Sequence, residues 1–331
     1  MDISLVAADN KSAFIDQLKT LIGKKLKGKE ATAVQSFADV YYKQYPIEEL
    51  EGRRFSDVYG ASYAWWNFAR DFDGQAPRVR VFNPSLEEDG WLCGHTVIQV
   101  LQKDMPFLVD SIRMEVNRRN IAIHAVQSTV LNVARNTANE LQEVAPLAIS
   151  VKSTKTKSWN KEALVYLEIN LHSDPEELSQ LSESLRSVLG DVSVVVDDYQ
   201  PMIAALKDAS ANLGNAQKGA ATDSLEESRA FLDWLSNGHF TIMGYSEYTF
   251  VDKKGEKVLS EEGDKRLGLF RQSSKKAATE TVDDFNPGMA RFHLTPQALA
   301  FSKSSIRSRV HRSAYSDYVV TKRYDKKGKV I

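Results

Sequence analysis

Hydrophobic positions in residues 10–72 recur at the spacing of helices. Phe14, Leu18 and Ile22 lie four residues apart, and the same kind of spacing continues towards residue 72. A period near 3.6 is typical of helices that bury one face. Residues 78–82 then alternate between basic and apolar side chains, which is typical of a strand. The pattern therefore predicts a helical N-terminal segment followed by a strand.

The hydrophobic pattern of residues 91–203 predicts a compact α/β unit. Asp174, followed by Pro175 and Glu177, is a strong helix start, and Gly190 is expected to end that helix. The predicted elements are, in chain order, strand 96–101, a helix from 104 to about 120, strand 121–135, strand 164–171, helix 174–190 and strand 192–196. The order βαββαβ is that of the split βαβ, or ferredoxin-like, fold.

A second α/β unit is predicted after residues 207–223, which hold one large apolar residue, Leu213, among Ala, Asn and Gly. Its predicted strands cover 239–251, 258–259, 267–270, 298–306 and 315–324. Because the chain stops just after a hairpin turn, we expect this unit to be truncated. The predicted organisation is an α+β protein with a helical segment over 1–90, a first domain over 91–206, a linker over 207–223 and an incomplete second domain over 224–331.

Composition fits a globular protein. Of 331 residues, 42% are hydrophobic and 26% are charged, and 43 basic residues face 44 acidic ones. This balance excludes a disordered chain. No apolar run has the length of a membrane span, and the first residues lack the features of a signal peptide. The single cysteine, Cys93, cannot form an internal disulfide. We therefore expect a cytoplasmic protein without a membrane partner.

Basic residues are concentrated near the C-terminal end. Residues 301–331 contain nine Lys or Arg and two Asp, which gives this segment a net charge of +7. A basic segment can bind nucleic acid, and a steep salt dependence of DNA binding would support that hypothesis. However, the basic residues alternate with apolar ones, as on the solvent face of strands. We therefore favour a solvated face and expect no nucleic-acid partner.

No catalytic, cofactor-binding or metal-binding motif is apparent in the sequence. Neither a GxGxxG nor a GxxxxGK[ST] run occurs, and HExxH and GxSxG are also missing. The six histidines lack the spacing of metal ligands. Cys93 lies two residues before His95, but we interpret it as a structural or inert thiol. The sequence thus predicts no catalytic residue, no bound cofactor and no metal site.

One segment carries a candidate binding site. At residues 103–112 a predicted strand leads into a predicted helix, with Asp104 as its N-cap, and helix N-terminal N–H groups can hold a carboxylate. The arrangement resembles the opening of an ACT domain, which binds amino acids at this junction. ACT domains commonly have Gly after the Pro, where this chain has Phe107. The candidate effector or interface site consists of Asp104, Met105, Pro106, Phe107 and Asp110.

Four runs resemble the large bacterial NAD-dependent glutamate dehydrogenases, in the same order along the chain. They are DMPFLVDSI at 104–112, VDDYQPM at 196–202, FLDWLSNGHFTIMGY at 231–245 and KSSIRSRVHR at 303–312. The first 90 residues match this family only loosely. The resemblance implies a first ACT-like unit over 91–206 and a second, truncated one after it.

The resemblance implies that glutamate and NAD bind in a catalytic core beyond Ile331. The full-length protein would oxidise L-glutamate to 2-oxoglutarate and ammonium, whereas residues 1–331 alone would be inactive and would serve regulation and oligomerisation. The implied partners are the rest of the polypeptide, further copies of the same chain and an amino-acid effector. A free-standing amino-acid sensor remains the alternative. At the junction, the alternatives are an amino-acid site and a structural unit in which Phe107 fills the ligand's place.

Overall fold

The computed structural model describes residues 5–6, 10–216, 222–253, 256–261, 265–272, 292 and 295–331. The chain divides into two compact units, Met1–Gly190 and Asp191–Ile331, so the division falls earlier than the predicted linker. The α+β class is confirmed. Among the described residues, no helix combines the length and apolar character that a membrane crossing requires.

Unit 1 begins with three helices, α1 (Lys11–Lys25), α2 (Gly28–Gln44) and α3 (Phe55–Ala69), which we call the cap. Asn10 caps α1 by accepting a hydrogen bond from the N–H of Ala13 at 3.0 Å. The cap buries a dense aromatic core, and the rings lie 5.0–6.2 Å apart in mostly tilted or edge-on pairs. Helical structure over most of 10–72 was correctly predicted from the period.

The sheet of unit 1 has five strands, β1 (Arg78–Phe82), β2 (Thr96–Lys103), β3 (Ile123–Asn136), β4 (Leu141–Ala145) and β5 (Lys157–Ile169). Their spatial order is β1-β2-β5-β3-β4, and all neighbours are antiparallel. Strand β2 is buried along nearly its whole length. Val97 and Leu101 belong to the same core as the cap helices, so one face of the sheet packs against the cap.

Two further helices complete unit 1, α4 (Leu108–Arg118) and α5 (Pro175–Asp197), and the second continues into unit 2. The predicted strand over 192–196 is therefore wrong, as is the helix end predicted at Gly190. The physical reason is a stripe of apolar residues that are at most 2% exposed and recur every three or four positions: Leu181, Leu185, Val188, Val192 and Val195. This helical period outweighs the strand preference of a valine-rich run.

Strand β1 takes the edge position that the predicted strand over 192–196 would have occupied. In a ferredoxin-like sheet the fourth strand pairs with the first, and here β1 pairs antiparallel with β2, with Val79 opposite Val100. Arg186 on α5 donates to the carbonyl of Val79 at 2.9 Å, which ties this helix to the edge strand. The sheet thus has the spatial order of the predicted fold, but its edge strand β1 comes from the segment between α3 and β2.

Unit 2 contains α6 (Tyr199–Asn212), α7 (Thr222–Trp234) and short strands: β6 (Gly244–Tyr245), β7 (Tyr248–Lys253), β8 (Glu256–Glu261), β9 (Leu267–Gly268), β10 (Leu299–Arg307) and β11 (Tyr315–Thr321). Within the described residues these strands form three separate pairs, β6-β9, β7-β8 and β10-β11. The ferredoxin-like arrangement predicted for a second unit is therefore not confirmed. The strand predicted over 239–251 is divided, and 267–270 ends in a short helix.

Local polar contacts hold unit 2 together. Asn212 donates to the carbonyl of Tyr324 at 3.0 Å and accepts from its N–H at 2.7 Å, so α6 is tied to the C-terminal segment. The buried Asp198 accepts from the N–H of Gly268 at 2.8 Å. The start of the predicted linker, residues 207–212, is part of α6, and residues 217–221 lie outside the described part of the chain.

Candidate functional site

The predicted site at residues 104–110, which we call the junction, lies between β2 and α4. Asp104 is exposed, and its backbone N–H donates to the carbonyl of Lys161 at 2.9 Å. Helix α4 begins at Leu108, with Phe107 as its N-cap and no side-chain capping bond. The prediction that Asp104 caps this helix is therefore wrong. The structure brings the five predicted residues together, because they are nearly continuous in sequence.

Phe107 adopts a backbone conformation that usually belongs to glycine. Its φ is +73°, in the left-handed region, where an L residue is disfavoured by roughly 1–2 kcal/mol. This is the position at which ACT domains commonly carry Gly. The backbone geometry of the junction is thus the one glycine would adopt, while the half-buried ring of Phe107 occupies space that glycine would leave open.

A second group of chemically active side chains lies on the cap-facing side of the sheet. It consists of Arg53, Cys93, His95, Tyr166 and Glu168, and we call it the Glu168 cluster. One carboxylate oxygen of Glu168, Oε1, lies 2.6 Å from the guanidinium of Arg53 and accepts from the Tyr166 hydroxyl at 2.7 Å. The other oxygen, Oε2, lies 3.0 Å from Nδ1 of His95. The donor atoms of Cys93, His95 and Glu168 all lie within 4.8 Å of one another.

Electrostatics keep Glu168 ionised although its side chain is only 4% exposed. Burial alone would raise its pKa, but the charge of Arg53 and hydrogen bonds from Tyr166, Arg53 and His95 together hold the pKa below its ordinary value. Burial and the negative charge of Glu168 raise the pKa of the Cys93 thiol. The cluster therefore combines a buried carboxylate, a neutral thiol and an imidazole.

A cavity of about 360 Å³ adjoins this cluster. Its walls combine the cluster with aromatic rings of the cap and of the loop before β2, namely Tyr41, Tyr42, Tyr45, Trp65 and Trp91. Burial, opposed by a hydrogen bond with Ser62, raises the pKa of Tyr42 to about 12, so its hydroxyl is neutral. None of residues 104–110 lines this cavity. The junction and the Glu168 cluster are therefore two separate sites.

The loop that carries Cys93 and His95 is held against the cap. The N–H of Leu92 donates to Asp57 at 3.2 Å, and Arg54 fixes that carboxylate with two hydrogen bonds. Gly60 on α3 lies so close to Trp91 that a Cβ at Gly60 would be 2.5 Å from the Cβ of Trp91. This site could not be predicted from the sequence, because its members lie on the loop before α3, on the loop before β2 and on β5. Only the Cys93–His95 pair gave a local signal.

Comparison with known proteins agrees with this fold. Residues 37–185 match the family model described as "Glutamate dehydrogenase, ACT1 domain". The matched segment runs from α2 of the cap to the middle of α5. It therefore includes the whole five-stranded sheet, the junction and the Glu168 cluster.

Curated relatives extend the similarity over nearly the whole chain. The NAD-specific glutamate dehydrogenase of Halomonas elongata is 38% identical over 319 residues, which cover 96% of this chain and 19% of the relative. That of Pseudomonas aeruginosa is 37% identical over 333 residues, covering 99% of this chain and 20% of the relative. The enzyme of the same name from Mycobacterium tuberculosis is 26% identical over 188 residues. The chain thus spans about a fifth of the length of the first two relatives.

The fold and these matches show that the chain contains an ACT-type domain, which includes residues 37–185. More particularly, it carries the ACT1 domain of the glutamate dehydrogenase family and is similar to the N-terminal fifth of the NAD-specific enzymes. The predicted resemblance to the large NAD-dependent glutamate dehydrogenases is confirmed.

Proposed function

We propose that this chain regulates an NAD-dependent glutamate dehydrogenase whose catalytic residues lie outside these 331 positions. The whole protein would convert L-glutamate, NAD⁺ and water to 2-oxoglutarate, ammonium and NADH. The observation that carries the proposal is similarity along 96–99% of this chain to about one fifth of two NAD-specific glutamate dehydrogenases. We also propose that NAD binds in the remainder of such a protein, that the enzyme is cytoplasmic, and that no nucleic acid or membrane is a partner.

The experiment that tests this proposal compares residues 1–331 with the full-length enzyme in one assay. Both are supplied with L-glutamate and NAD⁺, and NADH formation is followed by absorbance. We expect turnover only for the full-length enzyme, because hydride transfer requires a bound nicotinamide cofactor next to the substrate. Turnover by residues 1–331 that persists after repurification would refute the proposal.

We further propose that the junction serves assembly with a neighbouring unit and that Phe107 fills the place of an amino-acid ligand. The half-buried ring of Phe107 on a left-handed backbone supports this interpretation. The competing function is an amino-acid sensor at the same residues. Calorimetric titration of the unmodified chain with each common amino acid separates the two. Micromolar binding, about 8 kcal/mol, that disappears in Asp104→Ala would establish the sensor.

We also propose that the protein forms a homo-oligomer. The sheet of unit 1 ends in β1 on one side and β4 on the other, and edge strands present backbone groups that can pair with another chain. Sedimentation velocity over a range of concentrations tests it. A homo-oligomer is expected for the full-length enzyme, and a strictly monomeric enzyme at every concentration would contradict the assembly role.

A further inference from the structure

The Glu168 cluster contains three side chains with the donor atoms of a transition-metal site. A thiolate, an imidazole and a carboxylate are each common zinc ligands. Their donor atoms, Sγ of Cys93, a ring nitrogen of His95 and an oxygen of Glu168, lie within 4.8 Å of one another. Ligands of a tetrahedral zinc ion are separated by roughly 3.3–3.8 Å, given bonds of about 2.0–2.3 Å. The three donors can reach that spacing with shifts of about an ångström or less.

We propose that Cys93, His95 and Glu168 bind a zinc ion, with a water molecule as the fourth ligand. All three residues line the cavity of about 360 Å³, so a fourth coordination position can be supplied from that side. Three protein ligands and one water is an arrangement typical of open zinc sites. On binding, the thiol proton of Cys93 leaves to solvent and the thiolate coordinates the metal.

The surroundings of Glu168 favour coordination through one oxygen. Oε1 is already held by Arg53 at 2.6 Å and by the hydroxyl of Tyr166 at 2.7 Å. Oε2 faces His95 at 3.0 Å. Metal-binding carboxylates are commonly oriented by such outer partners. Coordination through Oε2 would replace the contact with His95 and leave both contacts of Oε1 intact.

A thiolate and a carboxylate together neutralise the two positive charges of zinc. The guanidinium of Arg53, which contacts Oε1, adds one positive charge, so the cluster with zinc bound would carry a net charge of +1. The elements that carry the ligands are firmly placed, because Glu168 lies on the inner strand β5 and the loop of Cys93 is bonded to Asp57 through Leu92.

The alternative is a hydrogen-bonded cluster that binds no metal. In that case the carboxylate of Glu168 only holds the side chains of Arg53, His95 and Tyr166 in place. The proximity of Cys93 then has no chemical consequence. The two interpretations differ in what the cysteine does when zinc is added. Since Cys93 is the single cysteine of the chain, any thiol readout reports on this position alone.

The test uses residues 1–331 stripped of metal with a chelator and titrated with ZnCl₂. We expect one equivalent of zinc to bind and to protect Cys93 from alkylation by iodoacetamide. Substitution with Co²⁺ should give an absorption band of thiolate-to-cobalt charge transfer. In Cys93→Ser and in His95→Asn, zinc affinity should fall by more than the ~10–100-fold that loss of an outer partner costs.

The matched control is His124→Asn. The ring of His124 stacks on that of His95, with centroids 4.3 Å apart, but His124 does not belong to the three-donor group. Zinc binding should therefore persist in this variant. Tyr166→Phe removes a hydrogen bond to Oε1 and should weaken zinc binding by about 10-fold. Circular dichroism of each variant separates loss of binding from loss of fold.

Two results would overturn the proposal. One is a folded chain that shows neither zinc binding nor protection of Cys93. The other is binding of equal strength in the unmodified chain, Cys93→Ser and His95→Asn, because the ion would then lie elsewhere. Neither result bears on whether the full-length protein oxidises glutamate, so the two proposals fail independently.

Discussion

The junction and the Glu168 cluster differ in how their residues are brought together. The junction is a run of neighbours in the sequence, its Asp104 is exposed, and the hydrogen bond of Asp104 to Lys161 is made by the backbone. The cluster joins residues 53, 93, 95, 166 and 168 through side chains, and its central carboxylate is 4% exposed. Contacts between buried charges are costly to break, whereas exposed ones contribute little. Substitutions on the cap-facing side of the sheet should therefore have larger effects than those at the junction.

The largest effect is expected at the ion pair that anchors the cap to the sheet. Arg135 and Glu162 are both at most 4% exposed and lie 2.7 Å apart, and Arg135 also donates to the carbonyl of Ala69 at 2.8 Å. Arg135→Ala leaves a buried carboxylate without its partner and should lower the free energy of unfolding by about 3–5 kcal/mol. Urea denaturation measures the loss. If the cost were below 1 kcal/mol, the cap would not be held by this pair.

The second-largest loss of stability is expected where α3 approaches the loop that carries Cys93 and His95. Gly60→Ala would place a Cβ 2.5 Å from the Cβ of Trp91, and overpacking of this kind costs ~1–3 kcal/mol. Gly94→Ala is the matched control, because no atom lies within 4 Å of the added Cβ. Thermal unfolding of the two variants should differ clearly. Equal midpoints would show that the loop moves away from α3 without cost.

These features could be predicted from the sequence to different degrees. The junction and the helices of the cap were found because their signals are local: a short motif and a period near 3.6. The strand predicted over 192–196 was wrong, because three adjacent valines favour a strand locally while the apolar stripe from Leu181 to Val195 continues a helix. The Glu168 cluster was missed since Arg53 and Glu168 are 115 positions apart, and only the folded sheet brings them together.

The free energy of unfolding should depend on pH through a carboxyl group on α4, the helix that follows the junction. Glu115 on α4 is 2% exposed. Burial would raise its pKa, but hydrogen bonds from Arg118, Ser184 and Arg119 lower it to about 2 from 4.5. A lowered pKa stabilises the fold above the unfolded-state pKa, and this contribution is lost as the pH falls from about 4.5 towards 2. Between pH 6 and pH 3 the loss should be about 2 kcal/mol.

Glu115→Gln supplies the comparison for this pH effect, since the amide does not titrate. Urea denaturation of both proteins at pH 6 and pH 3 isolates the contribution of this carboxyl, because all other groups are shared. The variant should lose less stability than the unmodified chain over this interval. Identical losses would mean that Glu115 keeps an ordinary pKa.

The smallest effect is expected at the junction itself. Phe107→Ala and Phe107→Gly both remove the ring, but only glycine adopts φ +73° without penalty. Because glycine also loses more conformational entropy on folding, its net advantage should be roughly 0.5–1 kcal/mol. Denaturation midpoints compare the two variants. An alanine variant as stable as the glycine variant would indicate that this backbone relaxes out of the left-handed region.

Of the two sites in unit 1, the Glu168 cluster depends on a buried charge, whereas the junction does not. Urea denaturation of two isosteric variants, Glu168→Gln and Asp104→Asn, at neutral pH in the presence of a chelator tests this difference. Glu168→Gln removes the charge opposite Arg53 and should lower the free energy of unfolding by about 2–4 kcal/mol. Asp104→Asn alters an exposed side chain and should change it by no more than about 0.5 kcal/mol. Equal losses, or a larger loss in Asp104→Asn, would contradict the claim.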